Sequence, residues 1–360
     1  MSHYTARLER DLDRIRADLA AIGEQVQDAV KGAVHVLLGA DRDKASACIL
    51  GDLPINRAVR RLDKACYGFI AVHLPSAGYL RWVSSVMRIN IALERIGDYA
   101  VTICREAVQL PRLPDGMLAR ELELMATQSR RMLGQAMQAS ADENAEAAKA
   151  TMVMAEQVER TFDSVVEELT EENGQWSKRD IFALLIIFHM LERVSDQAKN
   201  ICEETVFAVT GEGKEPKTYR VLFLDQDNAG ISKMAEALGR EHHPVCMAFS
   251  SAGRAAADCF DPVMSRLIER HGGTLAGDAP VTLDPIEGEL GDFHVIISLS
   301  GAVTDYIERI PFHTAALEWD VGMAPAPDAP DAEQVWEDIY RDLAVRLSDL
   351  VELLHGEEAE

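Results

Sequence analysis

Two pairs of acids at helical spacing are the residues in this chain best placed to do chemistry. Glu94 and Asp98 lie in LERIGDYAVTICREAV (93–108), and Glu192 and Asp196 lie in LERVSDQAKNICEETV (191–206). At a constant offset of 98 residues, nine of these sixteen positions are identical, including both acids, Arg95/Arg193 and Cys104/Cys202. Residues four apart share a helix face, with Cβ atoms about 5–6 Å apart. Two carboxylates held this way repel each other unless a cation joins them. Clustered oxygen donors with few soft ligands suit Mg2+, Mn2+, Ca2+ or iron. In the second copy His189 stands at i, i+3 and i+7 with Glu192 and Asp196, on the same face. A nitrogen donor there would favour iron, zinc or manganese over calcium. The plainer alternatives are surface ion pairs with Arg95 and Arg193, and for His189, within LLIIFHML, a core or interface residue.

A repeat of this period requires duplicated helical units, not a short solenoid module. Leu8, Leu12, Ile15, Leu19, Ile22, Val26, Val30, Val34 and Leu37 form one apolar stripe along a long first helix. A second helix is predicted over about 42–73, with a possible kink at Pro54, and a third over about 79–109, ending at Pro111 and Pro114. The cycle repeats over 115–140, 143–172 and 177–210, giving two three-helix units in an up-and-down bundle. Residues 211–217 (GEGKEPK) break the composition, and the period changes after them. YRVLFL (219–224), PVCMAF (244–249), FHVIISLS (293–300) and TAALEW (314–319) read as strands. They alternate with helices near 231–241 and 261–272 and a closing helix over 331–354, so a small doubly wound α/β domain with a parallel sheet is expected. The organisation is a helical domain over 1–212 (repeats at about 1–112 and 113–212), a linker at 213–217 and an α/β domain over 218–360.

The chain has 360 residues, 48% hydrophobic, and a net charge of −24. That is ample for two sizeable cores, and the acidic balance excludes a nucleic-acid binder. It also opposes direct adhesion to an anionic membrane surface. No segment has the length of uninterrupted apolar sequence needed to span a membrane, and the first residues lack the apolar core of a secretory signal. Six cysteines without CxxC spacing read as buried thiols of a reducing cytoplasm, with the repeat mates Cys104 and Cys202 in packing roles.

LER(I/V)xDxAxxI, written twice and each time on the third helix of a three-helix unit, resembles the PhoU family of phosphate-signalling regulators over about residues 1–212. In that family the third-helix pair joins a D/ExxxD/N on the second helix, and together they bind a metal cluster. The resemblance therefore implies Asp52 and Asn56 as companions of Glu94 and Asp98. In the second unit Glu159 matches Asn56, but Ala155 stands at the position of Asp52, leaving that set one ligand short, with His189 as a compensating donor. The implied cofactors are divalent or ferric ions (iron, manganese, zinc or magnesium), with no organic cofactor.

VLFLDQDNAGISKMAEAL (221–238) resembles the phosphate-binding loop of low-molecular-weight tyrosine phosphatases and arsenate reductases, a strand followed by C-x5-R-S and a helix. The MAEA run is 234–237, and Asn228 and Ser232 match the family's loop asparagine and serine. SSAG (250–253), LEWDV (317–321) and the closing helix extend the likeness to about residues 218–358. The departures concern the chemistry. Asp225 replaces the nucleophilic cysteine, Ile231 replaces the loop arginine, and VGMAPAP stands where the family has its general-acid segment. Family catalysis needs a thiolate nucleophile and a guanidinium that grips the oxyanion. The module is expected to be a pseudoenzyme, with the Asp225 carboxylate held by the loop amides in place of an anion. Strand-then-DxD (Asp225, Asp227) also resembles haloacid-dehalogenase-type phosphatases, but their downstream lysine and acids have no convincing counterparts here.

The PhoU resemblance implies a cytoplasmic, homodimeric regulator. It would act by contact with a phosphate transporter (an ATPase subunit or a sodium-coupled carrier) and a sensor histidine kinase, meeting the membrane only through those partners. The alternatives are a phosphatase or arsenate reductase regulated by the helical domain, and a metal-storage or oxidative bundle.

Overall fold

The computed structural model describes residues 3–39, 42–112, 114–170, 176–213, 218–242, 247–277, 279–311, 313–326 and 329–355. It divides into two compact units, Met1–Glu215 and Pro216–Glu360. Residues 214–217 of the expected linker lie outside the described residues.

The first unit is all helical. Its first half holds α1 (His3–Gly39), α2 (Arg42–His73) and α3 (Ala77–Ala107), and its second holds α4 (Gly116–Ala141), α5 (Ala145–Met152), α6 (Ala155–Thr170) and α7 (Lys178–Thr210). All nine residues of the α1 stripe are buried, each burial contributing about 1.5–3 kcal/mol relative to exposure. Ser177 and Asp180 form a capping box at the start of α7, and Gly211, left-handed at φ 80°, ends it. Helix α2 runs through Pro54 without a break. Leu50, whose carbonyl loses its helical donor there, is exposed, so water can replace that bond.

The expected continuous helix over 143–172 is instead two helices. At Val153–Met154 the Met154 amide reaches back only to the Thr151 carbonyl. The Thr151 hydroxyl meanwhile donates to the Ala147 carbonyl at 2.8 Å, a bond that bends helices. The two repeat helices, α3 and α7, pack together. Arg81 Nε donates to the Ala208 carbonyl at 3.2 Å, and Arg88 pairs with Glu204 at 3.2 Å. The numbers rise on one helix as they fall on the other, so the pair is antiparallel. Asn90, fully buried, ties α3 to α2 through the Val59 carbonyl and Asp63 Oδ1, both at 2.9 Å.

The second unit is a parallel sheet in the order β2-β1-β3-β4, with β1 Tyr219–Asp225, β2 Met247–Gly253, β3 Val295–Ser298 and β4 Ala315–Glu318. Val221, Phe223 and Phe249 face one core with α8 (Ile231–His242), α9 (Pro262–Arg270) and α10 (Ala332–His355). Leu222, Leu224 and Ile296 face the other, closed by short 3-10 turns at Glu287–Asp292 and Val303–Asp305. Strand β2 extends through SSAG, which the sequence placed after it. The order reverses between β1 and β3, so the loop after β1 sits at the switch point, where ligands bind in open α/β sheets.

Candidate functional site

In the first half of the helical unit Asp52 and Asn56 lie on α2 and Glu94 and Asp98 on α3, with Asp98 near enough for its charge to act on Asp52. Asn56 Nδ2 donates to Asp52 Oδ2 at 2.5 Å. The other two oxygens, Asp52 Oδ1 and Asn56 Oδ1, are buried without a hydrogen-bond partner. A Cβ on Gly97 would lie 3.2 Å from Asp52 Oδ1, so the bare backbone lets the two helices close on this carboxylate. Burial, and then the Asp98 charge, hold the Asp52 carboxyl above its usual range. Among the described residues no three His, Cys, Asp or Glu side chains are grouped to hold a metal ion. The acids line one seam without closing on a point. Buried oxygens with no donor are the kind that a hard cation completes, and Asp52 Oδ1 and Asn56 Oδ1 are two such oxygens.

The second half of the helical unit differs. His189 Nδ1 bonds Glu192 Oε2 at 2.8 Å, and Arg193 Nη1 bonds Asp196 Oδ2 at 2.8 Å. Glu159 is exposed, and Ala155 is the first residue of α6. Burial pushes the Glu192 carboxyl up against the opposing His189 bond, with the Asp196 and Glu159 charges adding to the rise. Of the expected set of Glu159, His189, Glu192 and Asp196, His189 and Glu192 are bonded to each other, Asp196 is bonded to Arg193, and Glu159 is exposed. The thiols also differ from expectation. Cys66, Cys104 and Cys202 are buried, but Cys48 is half-buried and Cys259 exposed, and Cys246 lies outside the described residues.

At the switch point of the second unit the loop is satisfied from within. Asp225 Oδ1 accepts from the Asn228 amide at 2.6 Å, and Oδ2 accepts from the Ser232 amide at 2.8 Å. Both carboxylate oxygens thus occupy backbone donors at the start of α8. Burial dominates and lifts the Asp225 carboxyl above its usual range. Asn228, wholly buried at φ 53°, is the hub. Its Nδ2 donates to the Ser232 and Ser251 hydroxyls at 2.9 and 2.8 Å, and its Oδ1 accepts from the Val281 amide at 2.9 Å. Amides of Arg254, Ala255, Ala257 and Asp261 take the carbonyls of Asp225, Gln226, Asp227 and Ala229. Ile231 belongs to the apolar core, so the arginine's position is a packing position. A Cβ on Gly230 would meet the Trp336 ring at 2.7 Å, so α10 seals the loop. Asp227, the second acid of the DxD, is exposed and accepts from the Ala229 amide at 3.0 Å.

The PhoU domain family model matches residues 19–107 and 122–205, both halves of the helical unit. The phosphate-specific transport system accessory protein PhoU homolog of Pseudomonas aeruginosa is 30% identical over 214 residues, covering 58% of this chain and 88% of that protein. The chain belongs to the PhoU family. The Escherichia coli PhoU is 27% identical over 212 residues, with 58% and 88% covered. The crystal structure of Pseudomonas aeruginosa PhoU superposes with a TM-score of 0.54 at 30% identity, covering 57% of this chain and 99% of that one. An arsenate reductase from Archaeoglobus fulgidus aligns with 36% of this chain at 23% identity and a TM-score of 0.30.

Beyond its PhoU domain the chain carries buried charges that sequence reasoning passed over. Lys233 Nζ and Glu236 Oε2 pair at 2.7 Å, each side chain 4% exposed. Ser251 donates to Glu236 Oε2 at 2.5 Å, and Arg240 bonds Glu236 Oε1 at 3.2 Å. Lys233 and Glu236 stand three apart on α8, whose residues 231–239 are all buried. Among the described residues no helix is long and apolar enough to cross a membrane.

Proposed function

We propose that this chain is a cytoplasmic regulator of phosphate uptake and phosphate-responsive signalling, acting by contact with a phosphate transporter and a sensor histidine kinase. The observation that carries this reading is the PhoU-family helical unit, which spans nearly the whole of a relative named for phosphate-specific transport. Its broad antiparallel helix faces suit docking, and a homodimer is the assembly the family resemblance suggests. Asp52, Asn56, Glu94 and Asp98 would hold a divalent or ferric ion, whose charge would draw α2 and α3 together and bias one helix arrangement. The α/β module supports this non-catalytic reading, because Asp225 and Ile231 stand where a nucleophile and an oxyanion-gripping arginine are needed.

The test is deletion of the gene in phosphate-replete cells, followed by phosphate uptake and a phosphate-starvation reporter. The expected result is derepression of both, restored by the full chain and weakened in the Glu94→Ala/Asp98→Ala variant. Unchanged uptake and reporter on deletion would refute the regulatory role. Phosphomonoester hydrolysis or arsenate reduction by the purified chain, lost in Asp225→Ala, would refute the non-catalytic one. Manganese or iron content equal in wild type and in Asp52→Ala/Glu94→Ala would remove the metal.

A further inference from the structure

A cavity of about 510 Å3 lies between the two halves of the helical unit, walled by α1 and α3 from the first and by α4 and α7 from the second. That volume is in the range of small-molecule sites. Its walls are largely apolar, with Leu19, Val86, Ile89 and Met137 buried and Trp82 half-buried. Two of its polar side chains are engaged within the chain. Thr205 donates to the Ile201 carbonyl at 2.8 Å, and Gln27 donates to the Gly23 carbonyl at 3.2 Å. Ser85 differs. It is 1% exposed, and its hydroxyl has no hydrogen-bond partner among the described residues. The charged groups lining the cavity, Arg16, Glu24 and Glu143, are all exposed and so belong to its rim. Arg16 there joins the two halves: it pairs with Glu143 at 3.1 Å, and its guanidinium lies 5.0 Å from the centre of the Trp82 ring.

We propose that this cavity is a binding site for a small uncharged molecule with an aromatic or alicyclic body and one hydroxyl or amide group. The body lies among Trp82, Val86 and Met137, and the polar group shares a hydrogen bond with the Ser85 hydroxyl. The ligand is uncharged because the interior offers no counter-charge, and an unpaired ion there would lose its hydration without compensation. It carries a polar group because Ser85 leaves a buried hydroxyl to be satisfied. Apolar contact with the walls supplies the affinity, and the one hydrogen bond sets the orientation. Since the walls come from both halves, the bound molecule ties one copy of the repeat to the other.

The duplication supplies an internal comparison. At the offset of 98 residues, α7 carries Asp180 and Ala183 where α3 carries Trp82 and Ser85. The neighbouring packing positions Val86 and Ile89 stay apolar, as Leu184 and Ile187. The ring and the hydroxyl are therefore features of one copy, and the packing stripe is a feature of both.

The experiment titrates 1-naphthol into the full chain with isotope-labelled methionine methyl groups. Calorimetry should show saturable one-to-one binding. The Met137 methyl resonance, assigned with Met137→Leu, should shift, while that of Met234 on α8 should not. Ser85→Ala should weaken binding about three- to tenfold. Without naphthol it should melt no lower than the wild type, because the hydroxyl it removes has no partner in the chain. Ala208→Trp, which fills the cavity from α7, should abolish binding. If that variant fails to fold, the wild-type methyl shifts and Ser85→Ala decide. Absence of saturable binding, binding that leaves the Met137 methyl unmoved, or equal affinity in wild type and Ser85→Ala would overturn the proposal. A lowered melting temperature of Ser85→Ala without naphthol would also overturn it, by assigning the hydroxyl to the fold.

Discussion

Replacing Asp225 with alanine tests whether the loop of the α/β unit is held by its own side chain. The substitution removes both acceptors of the Asn228 and Ser232 amides, at 2.6 and 2.8 Å. A buried donor left unsatisfied costs about 1–3 kcal/mol. Two of them, less the cost of keeping a carboxylate in that buried place, give a net loss of about 2–4 kcal/mol. The unit runs from Pro216 to Glu360. For a domain of this size 1 kcal/mol shifts the melting temperature by about 3–4 °C, so its transition should fall by about 6–15 °C. The vacated amides at the start of α8 are then open to an external oxyanion. Phosphate at about ten times its dissociation constant would return about 1.4 kcal/mol, or about 5 °C. Calorimetry of the full chain with and without phosphate measures both effects, and hydrogen exchange of 221–238 assigns the transition. A variant that melts within a degree of wild type, or phosphate that raises both proteins equally, would refute the reasoning.

Glu236→Gln leaves the Lys233 ammonium buried without its counter-charge, and a loss of about 3–5 kcal/mol is expected from the urea midpoint. Gly253→Ala would place a Cβ 2.7 Å from the Asn228 nitrogen and from the Asp227 carbonyl carbon, both backbone atoms that cannot swing aside. Its cost should be about 1–3 kcal/mol, with faster exchange at the loop amides. Asp225 also sets a pH dependence. Its folded pKa lies above the unfolded one, so its contribution is complete below about pH 4 and is lost as pH rises through the folded value. Urea melts between pH 4 and 7 should therefore show wild type losing stability with rising pH relative to Asp225→Asn, and parallel curves would contradict this.

Periodicity carried most of the architecture. The α1 stripe was legible because a two-sided environment leaves a 3.6-residue signature, and the repeat motif located α3 and α7 because packing against each other constrains both. The break at Val153 was not legible, since it depends on a threonine hydroxyl competing for a backbone carbonyl, which leaves no change in hydrophobic pattern. The acid pairs were legible as spacing only. Whether Arg193 or a metal neutralises Asp196 depends on rotamers that no spacing records. The Asp225 arrangement followed from the charge of a helix terminus, whereas the Lys233–Glu236 pair reads in sequence like a solvated ladder. Only the burial of α8 distinguishes it.

The joint at residues 153–154 gives the duplicated halves different mechanics. A push on one end of α2 travels along an unbroken rod of 32 residues and arrives at the other end as rotation or translation of the whole. The second half is interrupted after the eight residues of α5, so no single rod carries the equivalent load. One copy of the duplicated unit has the build of a lever, and the other is jointed.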